Sequence, residues 1–149
     1  MGRLKDIAMI IKQLSIFLEN KTGRLVEVLS ALGEVKIDIK AITIADTSEF
    51  GILRILVSRP EEALSLLRNR GFSVNLTEVL AIATPVEAGS FAKALRILSD
   101  ENIGIEYMYG FSIGAKAAII IRTDDISRAS SVIRNSRMEL LNATELNQL

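Results

Sequence analysis

The chain contains neither cysteine nor histidine. Without cysteine it can form no disulfide and no thiolate metal site. Without histidine it lacks the commonest general base and the commonest transition-metal ligand. No nucleophile stands at a meaningful spacing from a base either. The sequence therefore predicts a protein that is not an enzyme and that uses no metal or other cofactor.

An excess of one charge is also missing, because 18 lysines and arginines balance 18 aspartates and glutamates. Proteins that bind nucleic acids usually carry a basic excess or a basic stripe. The apolar stretch at residues 7–11 is far too short to span a bilayer, and no signal-peptide cleavage pattern is visible. We therefore expect no nucleic-acid partner, no membrane partner and a cytoplasmic location.

What the sequence does contain is a repeat of itself, displaced by 66 positions and without a gap, as from Gly23 to Gly89. An ungapped repeat indicates two copies of one structural unit. We expect the first copy at residues 12–77 and the second at residues 78–143. Further matching pairs are Leu29 and Leu95, Leu32 and Leu98, Ile39 and Ile105, Leu53 and Ile119, Ile55 and Ile121, and Ala63 and Ala129.

Hydrophobic periodicity gives each copy the order β-α-β-β-α-β. Alternating apolar residues predict strands, and apolar residues at i, i+3, i+4 and i+7 predict amphipathic helices. The elements predicted for the first copy are strand 13–19, a helix from Arg24, a hairpin of strands 37–45 and 51–58, a helix from Pro60 and strand 73–77. The second copy is predicted to have strands 79–84, 105–113, 117–122 and 138–141, with a helix after Gly89 and another that either Asp125 or Thr123 caps.

This element order predicts an α+β fold of two ferredoxin-like units. Each unit has an antiparallel four-stranded sheet with both helices on one face. The other face and the sheet edges then need cover. Because hydrophobic residues make up 49 % of the chain, we expect the units to pack on each other and on a second copy in a homodimer.

The loop between the first strand and the first helix, residues 20–25, is the best candidate for a binding site. It presents free backbone N–H groups at a helix start, which favours a carboxylate. Gly23 allows the backbone to approach a ligand closely, and the Asn20 amide both donates and accepts hydrogen bonds. A plain alternative is that glycine and asparagine stand here for turn geometry alone.

The pattern Glu19-Asn20-Lys21-x-Gly23-Arg24-Leu25, set between a strand and a helix of such a unit, resembles the ACT domain. Residues 13–18, 50–54 and 105–109 resemble a family of short bacterial and archaeal proteins that consist of two ACT repeats. The resemblance covers the chain from Lys12 onward. It implies a small-molecule-sensing module of amino-acid metabolism.

The resemblance further implies an amino-acid site at an interface between units, where the strand–helix loop of one unit faces the second strand of its neighbour. The second copy's loop, residues 84–90, has Val86 in place of Asn20 and carries Glu87, whose charge disfavours a carboxylate. We therefore expect the first loop to be the better carboxylate site. The implied ligand-binding residues are Asn20, Lys21, Thr22, Gly23, Arg24 and Leu25 in the first loop, Thr43, Ile44, Ala45 and Asp46 on the second strand, and Tyr109, Gly110, Phe111 and Ser112, 66 positions after them.

Other polar side chains have two interpretations each. Tyr107 and Tyr109 belong either to a ligand wall or to an aromatic packing patch. Arg54 and Arg122 either bind a carboxylate, join an ion pair or extend from strand ends into solvent. The pair Asp124 and Asp125 favours helix capping over metal binding.

Two functional hypotheses are favoured by the sequence, and both make a small-molecule amino acid the ligand. The first is a non-enzymatic sensor in which a bound amino acid shifts the population of conformations and so changes contacts with a metabolic enzyme. The alternative is a regulatory subunit of an amino-acid biosynthetic enzyme, of the acetohydroxyacid synthase small-subunit type. A dimerisation module with empty loops is a third possibility.

Overall fold

The computed structural model describes residues 2–19, 21–46 and 49–149, with Asp46 described by its backbone alone. The chain forms two compact units. Residues Lys12–Thr77 form one, called the first repeat here. Residues Glu78–Leu149 together with residues 2–11 form the other, the second repeat.

Six helices and seven strands make up the described part of the chain. In chain order they are α1 (Gly2–Ala8), β1 (Ile11–Glu19), α2 (Arg24–Glu34), β2 (Ile39–Asp46), β3 (Phe50–Val57), α3 (Pro60–Asn69), β4 (Ser73–Pro85), α4 (Ser90–Asp100), β5 (Ile105–Ile113), β6 (Lys116–Thr123), α5 (Ile126–Asn135), β7 (Glu139–Leu141) and α6 (Ala143–Asn147).

In the first repeat the strand order is β2-β3-β1-β4, and β3 pairs antiparallel with both β1 and β2. Alternate residues of β1 point to the helices because successive side chains of a strand lie on opposite faces. They form one core with residues of α2 and α3. The largest fully buried side chains of this core are Leu14, Ile16, Leu32, Leu53, Ile55 and Leu67.

The second repeat has the corresponding order β5-β6-β4-β7, also antiparallel. Its core joins β4 and β6 to α4 and α5. The buried residues at its centre are Leu80, Ile82, Leu98, Ile119, Ile121 and Ile133. The predicted α+β fold of two ferredoxin-like units is confirmed.

The displacement of 66 positions extends to the backbone. Helices α2 and α4 begin and end 66 residues apart, and so do α3 and α5. Positive φ angles also recur at this spacing, as at Gly23 (φ 91°) and Gly89 (φ 85°). Two further pairs with positive φ are Lys36 and Asn102, and Gly71 and Arg137. The two copies therefore share their strained backbone positions as well as their cores.

Strand β4 is one continuous strand over Ser73–Pro85, where the sequence predicted two strands, 73–77 and 79–84. The prediction of a break was wrong because the junction Thr77-Glu78-Val79 contains no glycine, proline or asparagine to turn the chain. β2 likewise begins at Ile39, two residues later than predicted.

Both terminal helices belong to the second repeat. Helix α1 contacts α5 through Ser130, whose hydroxyl donates to the Asp6 carbonyl at 3.2 Å, and through an ion pair between Arg134 and Asp6. Arg134 also donates to the Gly2 carbonyl at 3.2 Å. Helix α6 begins with a capping box between Asn142 and Glu145. None of the helices within residues 2–19, 21–46 and 49–149 is long and apolar enough to cross a membrane.

Candidate functional site

At their described residues, the two strand–helix loops have matching backbone hydrogen bonds. The Arg24 N–H donates to the Lys21 carbonyl at 3.2 Å, and 66 positions later the Ser90 N–H donates to the Glu87 carbonyl at 3.1 Å. Gly23 and Gly89 precede the helices in the left-handed region, which glycine adopts without a steric penalty. The two loops therefore present their N–H groups in the same arrangement.

No side chain of the described residues caps either helix start. An uncapped first turn leaves N–H groups without an intrahelical acceptor. In α4 these include the N–H groups of Phe91 and Ala92, and in α2 those of Leu25 and Val26. Such groups favour a negatively charged ligand atom, and the positive end of the helix dipole adds to this preference.

A cavity of about 590 Å³ lies beside the loop of the second repeat. It is bounded by the loop, by the first residues of α4, by the end of β5 and by the start of β6. Loop and strand therefore meet within one repeat at this cavity. Its lining residues are Pro85, Val86, Glu87, Ala88, Gly89, Phe91, Ala92, Gly110, Phe111, Ser112 and Ala117.

The close approach of α4 to β5 depends on the missing side chain of Gly110. A Cβ atom at Gly110 would lie 3.4 Å from Cε2 of Phe91 and 3.3 Å from the Ala118 carbonyl oxygen. The corresponding strand position in the first repeat is Ile44. Its Cδ1 atom lies 3.3 Å from the position that a Cβ atom would take at Gly51. This strand position therefore has no side chain in the second repeat, where α4 lies close to it, and an isoleucine side chain in the first repeat.

The two loops also differ in charge. Among the described residues that line the cavity of the second repeat, Glu87 is the one with a charge. In the first loop Lys21 pairs with Glu19 at 2.9 Å, and Arg24 pairs with Glu27 at 2.8 Å. The hydrogen bond from Lys21, together with its positive charge, lowers the pKa of the Glu19 carboxyl below its usual range.

Arg24 is held on the body of the first repeat. Its guanidinium lies over the Phe72 ring, 4.6 Å from the centroid. Its Nε atom is buried, and no acceptor for it occurs in the described part of the chain. A cation with a buried, unused donor beside an uncapped helix start suits an anionic ligand, since such a donor is costly to leave unpaired.

The structure places the predicted site residues in three groups. Lys21, Thr22 and Gly23 form the first loop with Arg24 and Leu25 at the start of α2, while Asn20 lies outside the described residues. The residues Thr43, Ile44, Ala45 and Asp46 belong to β2, and Tyr109, Gly110, Phe111 and Ser112 belong to β5. Gly110, Phe111 and Ser112 are brought together at the cavity, whereas Tyr109 pairs with Ile120 on β6.

Of the lining residues, only Gly110, Phe111 and Ser112 were predicted to bind the ligand, and residues 85–89 were predicted to form the weaker carboxylate site. Phe91, Ala92 and Ala117 were not predicted as site residues. The repeat could have predicted Phe91, because it stands 66 positions after Leu25, which is one of the predicted ligand-binding residues. The preference for the first loop over the second stays a prediction, and so does a site at an interface between units.

Two of the other polar groups have structural roles. The Asp125 carboxylate accepts a 3.2 Å hydrogen bond from the Arg128 N–H and so caps α5. Arg122 donates to the Glu78 carbonyl at 2.9 Å and pairs with Glu106 at 3.4 Å. No cluster of three acidic side chains suited to a metal ion occurs within the described ranges.

The family model for the ACT domain pair matches residues 9–149. The chain belongs to the ACT domain pair family. An ACT domain pair is a regulatory module, and no catalytic family is indicated. Among curated proteins, none matches the sequence.

Solved structures agree with this assignment. A protein of Bacteroides thetaiotaomicron is 43 % identical, with a TM-score of 0.92 over 95 % of this chain and 99 % of that chain. The regulatory subunit of aspartate kinase from Thermus thermophilus, in its ligand-free form, is 17 % identical, with a TM-score of 0.64 over 87 % of this chain and 95 % of that chain. The corresponding subunit from Thermus flavus is 18 % identical, with a TM-score of 0.56 over 86 % and 95 %. The two aspartate kinase subunits share the fold of this ACT domain pair.

Proposed function

We propose that this ACT domain pair is a non-enzymatic regulator that binds a free amino acid where a strand–helix loop meets the second strand of a unit. One observation carries the proposal: the cavity of about 590 Å³ between the start of α4 and β5. A volume of several hundred cubic ångströms suits a small molecule. The lining combines anion-seeking N–H groups, one carboxylate and apolar side chains, which matches the three chemical parts of an amino acid.

In this proposal the α-carboxylate binds the N–H groups of Phe91 and Ala92. Glu87 then attracts the α-ammonium group, so the charge that disfavours a carboxylate in the loop becomes useful at the other end of a zwitterion. The first loop, with Arg24 and Lys21, is a second candidate site. In the first loop, the charged groups that would face a ligand are the cations Lys21 and Arg24, whereas the cavity has the carboxylate of Glu87.

A bound amino acid acts through its differential affinity for two conformations of the protein. We propose a metabolic enzyme as the partner that distinguishes these conformations, and a homodimer as the acting form. The sensor and the regulatory subunit differ in one observable: only the subunit co-purifies in a fixed ratio with a large catalytic chain.

A thermal-shift screen of the twenty amino acids tests the proposal. A ligand present at a hundredfold excess over its dissociation constant stabilises the folded state by about 2.7 kcal/mol. The screen is repeated on Phe91→Ala for the cavity and on Arg24→Ala for the first loop. We expect a stabilising amino acid whose effect is lost in Phe91→Ala.

The matched control is Val35→Ala, which shortens an exposed apolar side chain at the end of α2, at the opposite end of that helix from the first loop. It keeps the thermal shift in full. A screen in which no amino acid raises the melting temperature would leave a dimerisation module as the better description.

A further inference from the structure

The wall of the cavity in the second repeat is apolar over most of its extent. Its apolar side chains include Val86, Phe91 and Ala117, and Ser112 supplies the one side-chain hydroxyl among the described lining residues. Val86 is 54 % exposed and Phe91 is 41 % exposed. Two large apolar side chains thus face solvent beside the same cavity, where an apolar ligand group would remove them from water.

In the proposed function, the two charged ends of an amino acid occupy most of the polar groups of the cavity and leave the Ser112 hydroxyl. There the N–H groups of Phe91 and Ala92 would bind the carboxylate, and Glu87 would attract the ammonium group. Little remains for a polar side chain on the ligand. An amide or a charge placed against Phe91 and Val86 would lose its hydrogen bonds to water without replacement, which is unfavourable.

In its described part, the first loop lacks the apolar surface of this cavity, because its side chains differ from those of the second loop at the matching positions. Position 21 is a lysine and position 24 an arginine, whereas the matching positions carry Glu87 and Ser90. Leu25 packs against the core of the first repeat, while Phe91, at the matching position, stands half-exposed beside the bare Gly110 backbone. The two strand–helix loops thus share a backbone conformation but present different side chains to a ligand.

We infer that the cavity at residues 85–92 selects an amino acid with an apolar side chain, which lies against Phe91 and Val86. This inference rests on the proposed function, because it names the ligand class of the same site. It excludes amino acids with acidic, basic or amide side chains as the ligand of this cavity.

Isothermal titration calorimetry with pairs of similar shape tests the inference. The pairs are leucine and asparagine, methionine and glutamine, and valine and threonine. Apolar pockets discriminate by roughly tenfold to a few hundredfold per methylene or added polar group. We expect the apolar member of each pair to bind at least about tenfold more tightly.

Two variants separate the side-chain contact from the ammonium contact. Phe91→Ala removes an aromatic wall, so we expect it to reduce the leucine-to-asparagine affinity ratio by about tenfold. Glu87→Gln removes a charge of the cavity, so we expect it to weaken leucine while leaving that ratio unchanged. Both side chains are exposed enough for the variants to fold, and Val35→Ala again serves as the control.

The outcomes separate the inference from the function on which it rests. Asparagine binding as tightly as leucine, and lost in Phe91→Ala, overturns the ligand class but keeps the amino-acid regulator. Leucine binding that Phe91→Ala leaves unchanged overturns the inference by placing the ligand elsewhere. If no amino acid binds the wild-type protein, both the inference and the proposed function fail.

Discussion

The two repeats have the same backbone and different chemistry. Gly23 and Gly89 have φ angles within a few degrees of each other, and the hydrogen bonds of the two loops match in pairs. Yet one loop carries two cations and the other a carboxylate beside an open apolar cavity. Glycine positions therefore fix the shape of such a loop, while its ligand preference depends on a few neighbouring side chains.

The two repeats also differ in the terminal helices that pack on them. The second repeat holds α1 through Arg134 and carries α6 after β7. In the first repeat the matching residue, Arg68, donates to the Val74 carbonyl at 3.0 Å and to Asn75 Oδ1 at 3.2 Å. The same arginine position therefore joins a terminal helix in one copy and orders a nearby strand in the other.

The largest expected effect tests this difference at the arginine. Arg134→Ala removes the partner of Asp6, whose side chain is 13 % exposed, and should lower the free energy of unfolding by about 2 kcal/mol. Arg68→Ala removes hydrogen bonds to uncharged acceptors and should cost about 1 kcal/mol. Urea unfolding of both variants gives the two values. Equal losses would show that α1 is not held by the ion pair.

A smaller effect tests the likeness of the two loops. Gly23→Ala and Gly89→Ala each force a Cβ atom into the left-handed region, at a cost of about 1 kcal/mol. Among the described residues, no atom outside their immediate neighbours lies within 4 Å of the added Cβ, so backbone strain sets the loss. We expect equal decreases in the free energy of unfolding. A clear inequality would mean that the loops differ in backbone as well as in side chains.

The smallest expected effect is on the pKa of one carboxyl group, that of Glu19. The hydrogen bond from Lys21 lowers the pKa of Glu19, and the matching position in the second repeat, Pro85, has no titratable group. A lowered folded-state pKa contributes stability above the unfolded-state pKa, and this contribution is lost as the pH falls through the folded-state value. NMR titration should show the pKa of Glu19 rising in Lys21→Ala. An unchanged pKa would exclude this hydrogen bond in solution.

Much of the fold was predictable from local pattern. The alternation of Leu14, Ile16 and Leu18 indicated a strand whose inner face is buried, and these three side chains are buried in the core. Because the second copy follows the first at a displacement of 66 positions, each element predicted in the first repeat also predicted one in the second. Periodicity succeeds here because each unit has one core and two helices that bury one face.

The terminal helix and the cavity were not predictable in this way. Helix α1 depends on the contact between Asp6 and Arg134, which are 128 positions apart, so no local pattern indicates it. The cavity depends on Gly110 lying beside Phe91, which requires the packing of α4 on β5. The sequence pointed to Gly110, Phe111 and Ser112 through family resemblance, but it did not reveal the space next to them.

A backbone NMR titration with leucine tests the central claim most directly, because it reports on both loops in one experiment. We expect the largest amide shifts at Phe91, Ala92 and Gly110, which border the cavity, with smaller changes at Leu25 and Val26. Large shifts confined to Leu25 and Val26, or no saturable shifts for leucine or any other amino acid, would contradict it.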